Sequence, residues 1–170
     1  MASSAFAVKS LPVMGEKPDE VTLAGDAGGL VEKDQQWSSS SLKGKLHLLV
    51  YVDPDESDAN NALTKRLKKE NFGPEILGSV AVINMAATWK PNFIIQKILQ
   101  GKQEEYPTTT YVMDKDKVLV EQWQLKDDAY DVLLFDHNGK VIFRKDGVLN
   151  AEEIDQVVEL IKQRANQKAS

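Results

Sequence analysis

The 170-residue chain contains no cysteine. A thiolate is the nucleophile in both thiol–disulfide exchange and thiol peroxidation, so this chain can run neither reaction. Lack of cysteine suits either redox environment and leaves the compartment open. Histidine is nearly as scarce. The two present, His47 and His137, lie far apart and form neither a zinc pattern nor a Ser-His-Asp order. No apolar run approaches the roughly 20 residues of a membrane span, so no membrane insertion is expected. Positive charge is in deficit: 21 Lys and Arg against 26 Asp and Glu leave a net charge of -5. That balance argues against a nucleic-acid partner. The densest basic run, Lys65-Arg66-Leu67-Lys68-Lys69, is interleaved with an apolar stripe and reads as a solvated helix face. Neither a phosphate loop nor a dinucleotide fingerprint occurs, and no cofactor is expected.

What is present suffices for one domain with a real core, since 42% of the residues are hydrophobic. Residues 1–18 lack periodicity and carry Pro12, Gly15 and Pro18, the marks of a flexible lead-in. Within it Ala5-Phe6-Ala7 has the small-x-small form of a signal-peptidase site, the expected remnant of a cleaved leader. Residues 19–165 read as a single domain and 166–170 as a disordered tail. Val21-Thr22-Leu23 and Leu30-Val31 flank Asp26-Ala27-Gly28-Gly29, which predicts a hairpin. Leu46 to Val52 and Ser79 to Met85 are continuous apolar runs, as in buried central strands. Between them Ala59, Leu63 and Leu67 fall at helical spacing, and Gly73-Pro74 ends that helix. Pro91 opens a second helix whose expected buried face is Phe93, Ile94, Ile98 and Leu99, closing at Gly101. Thr108 to Met113 predicts a strand that turns at Asp114-Lys115-Asp116-Lys117 into another over Val118 to Trp123. A hairpin follows from Val132 to Arg144 with an Asn138-Gly139 turn. Asn150 and Glu153 then stand at capping-box spacing before the stripe Ile154, Val157, Val158 and Ile161. Strands alternating with helices imply a parallel core with right-handed crossovers, and the hairpin adds antiparallel strands. The expected architecture is an α/β three-layer sandwich: a mixed central sheet with helices on both faces and an N-terminal β-hairpin extension.

Three stretches carry a resemblance: Tyr106-Pro107, Trp123-Gln124-Leu125, and the run from Val132 through Lys145-Asp146-Gly147. They resemble the YtfJ family of bacterial periplasmic proteins, within the thioredoxin-like and peroxiredoxin-like superfamily. The resemblance extends from about Val21 to Ile161. It implies a thioredoxin-like fold, export to the periplasm through a cleaved leader, and no established activity. It brings no catalytic residues. Against redox-active relatives, Asp55 and Asp58 stand at the two thiol positions. Ala129-Tyr130-Asp131 occupies the segment where those relatives place a cis-proline.

The loop Asp53-Pro54-Asp55-Glu56-Ser57-Asp58 is the main candidate site. Its carboxylates, followed by Asn61, offer alternating hard oxygen ligands, so calcium at Asp53, Asp55 and Asp58 is one reading. Glycine is missing at the sixth position of such a loop, and Thr64 stands where a bidentate glutamate would be needed. The simpler account is capping of a helix N-terminus by carboxylates. Acid–base catalysis by the same carboxylates is a third reading, although a helix N-terminus pushes carboxylate pKa values down. Trp89 and Tyr130 sit in loops expected at the same end of the sheet, where open α/β sheets bind ligands. Trp123 is expected to cover the core, His47 to pack beside Leu49 and Tyr51, and His137 to be solvated in its turn. Together these point to a redox-inactive binding module, monomeric or weakly associating. It would take a periplasmic protein or small ligand through Asp53, Asp55, Glu56, Ser57, Asp58, Trp89 and Tyr130.

Overall fold

The computed structural model describes residues 12–32 and 35–167; Ala5-Phe6-Ala7, expected above as a leader remnant, lies outside these residues. The principal strands are β1 (Thr22–Leu23), β2 (Gly28–Leu30), β3 (Trp37–Ser38), β4 (Leu46–Val52), β5 (Leu77–Asn84), β6 (Thr109–Asp114), β7 (Tyr130–Phe135) and β8 (Val141–Asp146). The helices are α1 (Asn61–Glu70), α2 (Asn92–Glu105), α3 (Val118–Trp123) and α4 (Ala151–Arg164). Six strands form one sheet in the order β2-β6-β5-β4-β7-β8. β4, β5 and β6 run parallel, whereas β7 is antiparallel to β4 and β8 to β7.

Side-chain alternation along β4 builds two cores. Leu46, Leu48 and Val52 face a layer with Leu63 of α1, Ile95 and Leu99 of α2, and Val157 and Ile161 of α4. Leu49 and Tyr51 face the other layer, which holds Leu23, Trp37, and Leu119 and Trp123 of α3. Both parallel crossovers, through α1 and α2, therefore lie on one face, as right-handed connections running in one direction across a sheet require.

The early hairpin does not form. Thr22–Leu23 pairs with Trp37–Ser38, and Gly28–Leu30 instead adds an antiparallel edge strand to β6. Close approach dictates this. Gly28 has φ 134°, and a Cβ there would lie 1.9 Å from the Met113 carbonyl oxygen. The glycines serve a backbone contact rather than a flexible tip.

Residues Val118–Trp123 form a helix, not a strand. Asp114 decides it, because its carboxylate accepts the N–H of Val118 at 2.9 Å and of Leu119 at 3.0 Å. Leu119 and Trp123, four residues apart, are then both fully buried. Helix α2 continues through Gly101 to Glu105. Its buried residues are Ile95 and Leu99, whereas Phe93 (72%), Ile94 (40%) and Ile98 (52%) are exposed. The continuous apolar run concealed which face turns inward. His137 is buried rather than solvated, because its turn packs back against the chain: its carbonyl accepts the Gly44 N–H. The lead-in is likewise tied down in part, with Gly15 donating to the Val141 carbonyl at 2.7 Å and Val141 to that of Glu16 at 3.0 Å. On α4 the capping box is complete, with Asn150 and Glu153 exchanging two 2.9 Å bonds.

Candidate functional site

The period-two pattern that builds the α3-side core ends in polar groups at the C-terminal edge of the parallel strands. Tyr51 is followed two residues on by Asp53, Val82 by Asn84, and Val112 by Asp114. Asp131, the second residue of β7, lies on the same face as Leu133 and Phe135. All four polar groups are buried. The Asp114 carboxylate that caps α3 also accepts the Tyr51 hydroxyl at 2.9 Å. Burial, and then that neighbouring carboxylate, hold the Tyr51 hydroxyl protonated far above its usual range. Asn84 donates through Nδ2 to Asp127 at 2.8 Å, and Lys117 forms an ion pair with the same carboxylate. Despite its burial, Asp127 is held below the usual carboxylate range by Lys117 and Asn84.

The acidic loop meets this edge from the other side. Its backbone is fastened by the Asp53 N–H, which donates to the Ala129 carbonyl at 2.9 Å. The Asp53 side chain accepts the Asp55 N–H at 2.9 Å and so caps a single 3-10 turn over Pro54–Glu56. It does not cap α1, whose first turn holds no acidic residue. Burial pushes the Asp53 carboxyl up, against the downward shift expected at a helix N-terminus. Asp55 is held low by the Lys90 ammonium, 2.9 Å away. Asp58 accepts from the Asn61 side chain at 3.3 Å, and Glu56, Ser57 and Asp58 are exposed. The carboxylates considered for calcium thus have protein partners. Among the described residues no group of three or more His, Asp or Glu side chains is placed to hold a metal ion.

The aromatics separate. Trp89 is 86% exposed and stands beside Lys90, with Phe93 the second residue of α2. Tyr130 is 9% exposed, packed in the α1-side core, with Thr64 in hydrogen-bonding contact. It cannot offer its ring to a partner without leaving the core, because β7 starts at Tyr130 and alternation turns this side chain toward α1. Trp123 is fully buried, with its indole N–H on the Asp19 carbonyl.

Several residues here escaped the sequence reading. Asn84 and Asp131 were hidden because an apolar strand draws attention to its core; strict alternation could have marked them. Asp127 and Asp128 were visible as an acidic pair before β7. Val148, 61% exposed, reaches the same end through the fold alone, since the Asn60 side chain ties together the Gly147 carbonyl and the Leu149 N–H. Asn60 itself lies between the acidic loop and α1.

A parallel α/β core with an antiparallel β7–β8 hairpin, an acidic turn after β4 and no cysteine anywhere defines a thioredoxin-like domain without thiol chemistry. Residues 16–164 match the family model described as "Bacterial protein of unknown function (YtfJ_HI0045)", and the chain belongs to that family. The uncharacterized protein YtfJ of Escherichia coli (strain K12) is 28% identical over 145 residues, covering 81% of this chain and 79% of that protein. An uncharacterized protein of Haemophilus influenzae is 26% identical over 131 residues, 75% and 71% of the two chains. Among solved structures, the exposed lipoprotein thioredoxin of Streptococcus pneumoniae matches with a TM-score of 0.60 at 16% identity, covering 85% of this chain and 99% of that one. A thiol peroxidase from Chromobacterium violaceum matches with a TM-score of 0.62 at 12% identity, covering 90% and 89%. At such identities these neighbours establish the fold alone.

Proposed function

We propose that this protein is an exported, periplasmic binding module that has kept the thioredoxin-like scaffold without its thiols. It recognises a protein or small ligand at the C-terminal ends of the parallel strands. The observation that carries the reading is Trp89, 86% exposed beside the Lys90–Asp55 ion pair. A large aromatic held out of the core at the ligand-binding end of an open α/β sheet loses hydrophobic stabilisation unless a partner covers it. Such residues anchor interfaces. Asp53, Asp55, Glu56, Ser57 and Asp58 form one wall of the site, while Tyr130 supports β7 from below.

Placing the photo-crosslinker p-benzoylphenylalanine at Trp89, and separately at Lys140 in the β7–β8 turn, tests the reading in living cells. A discrete adduct from position 89 and none from position 140 is the expected result. Equal, diffuse labelling at both positions would refute a binding role for this end. Recovery of the protein from the periplasmic fraction with a processed N-terminus checks export, and retention in the cytoplasm would refute it.

A further inference from the structure

The chemistry of the occupant can be inferred from the charges around Trp89, on the premise that this end of the sheet binds a partner. The loop after β4 contributes Asp53, Asp55, Glu56 and Asp58, and the loop before β7 contributes Asp127 and Asp128. These loops are joined through the Asp53–Ala129 backbone bond. Two cations are committed here, Lys90 to Asp55 and Lys117 to Asp127. Among the described residues Asp53, Glu56, Asp58 and Asp128 form no ion pair of their own, and Asp128 and Asp53 share the Lys117 ammonium at longer range. Inside the cluster, burial first and then the Asp55, Asp128 and Glu56 carboxylates oppose ionisation of Asp53.

Asn84 adds an independent observation. It is 1% exposed and reaches into the cluster through its bond to Asp127, yet among the described residues its Oδ1 has no donor. A buried acceptor without a donor is costly, and an incoming N–H group would satisfy it. The acceptors do not converge as a metal ion requires. They are spread along an end of the sheet that also carries the exposed apolar groups Trp89, Phe93 and Val148. Ammonium and guanidinium groups on long apolar stems fit such an edge, because the stem covers apolar surface while the head reaches separate carboxylates. The Trp89 face adds a cation–π contact.

We propose that the acidic edge beside Trp89 docks a lysine- and arginine-bearing segment of a partner protein. The field of unpaired carboxylates supplies attraction and orientation, and Trp89 supplies the apolar anchor.

The test is an amide NMR titration of the full chain with a capped nonapeptide, Gly-Ser-Lys-Arg-Leu-Arg-Lys-Gly-Ser. Controls are the same peptide with glutamine, or glutamate, at its basic positions, together with spermidine and calcium. Saturable shifts within residues 53–61, 84–93 and 126–129, weakening as salt rises, are expected for the basic peptide alone. In the combined variant Glu56→Gln, Asp58→Asn, Asp128→Asn, whose altered side chains are exposed, affinity should fall at least tenfold with the melting temperature held. Equal binding of the glutamine peptide, unchanged affinity in the variant, or tighter binding of spermidine or calcium would overturn the inference. A position-89 crosslink that survives the triple substitution would overturn it while leaving the binding-module reading intact. Loss of any position-89 adduct in the wild type would remove both.

Discussion

Asp131 is fully buried, its carboxylate lacks a hydrogen bond of good geometry among the described residues, and it stands across the β7–β8 ladder from Asp146. Burial, and then the neighbouring Asp146 carboxylate, push it from the ordinary 3.8 up to about 7. The folded state therefore holds this proton more tightly than the unfolded chain. Stability from the protonated form is complete below about pH 4 and is lost as pH rises through about 7. Melts of Asp131→Asn between pH 4 and pH 8 should show little change at the acid end and a higher melting temperature than wild type at the alkaline end. A difference between Asp131→Asn and wild type that does not grow from pH 4 to pH 8 would refute the assignment. His47 works in the opposite sense. Burial lowers its pKa from 6.5, so its contribution is present above that value and lost as pH falls below it. In His47→Gln the acid-side loss of stability should shrink, read from the same melts.

At the scale of elements, helix α3 depends on one side chain from the preceding strand. Asp114→Ala would strip an acceptor from the Val118 and Leu119 N–H groups and from the Tyr51 hydroxyl at once. Leaving those buried donors unpaired should cost about 2–4 kcal/mol in a denaturant titration. By comparison, Asn150→Ala removes only an exposed cap and should cost about 1 kcal/mol. The two helices also differ in how legible they were. α4 carries its start signal and its stripe within one local segment. Val118–Trp123 is β-prone in composition, and its helical state comes from a carboxylate held in β6 and a hydroxyl in β4. Helix α2 shows an intermediate case: its existence follows from Pro91 and the apolar run, but Phe93, Ile94 and Ile98 face outward because the sheet beneath accepts only Ile95 and Leu99.

For the molecule as a whole, the exposed rim and the core should respond independently. Trp89→Ala and Phe93→Ala leave the core untouched and should change stability by no more than about 0.5 kcal/mol while abolishing partner capture. Parallel melts, and crosslinking from p-benzoylphenylalanine placed at the exposed Ser57, check this. A large loss of stability would mean that Trp89 packs against its own chain. The sequence alone determined the chemistry this protein lacks and the class of its fold. Absence of cysteine is absolute, and alternation and helical stripes are local patterns that packing must respect. The acidic turn and Trp89 were also legible, as exposed polar and aromatic residues in loops at strand ends. Tertiary structure alone decided which groups meet. Asp131 faces Asp146, Asn84 reaches Asp127, Tyr130 turns inward, and the loops around Asp53, Ala129 and Gly147 converge. These pairings join residues far apart in the chain, so their burial and charge coupling exist only once the sheet has assembled.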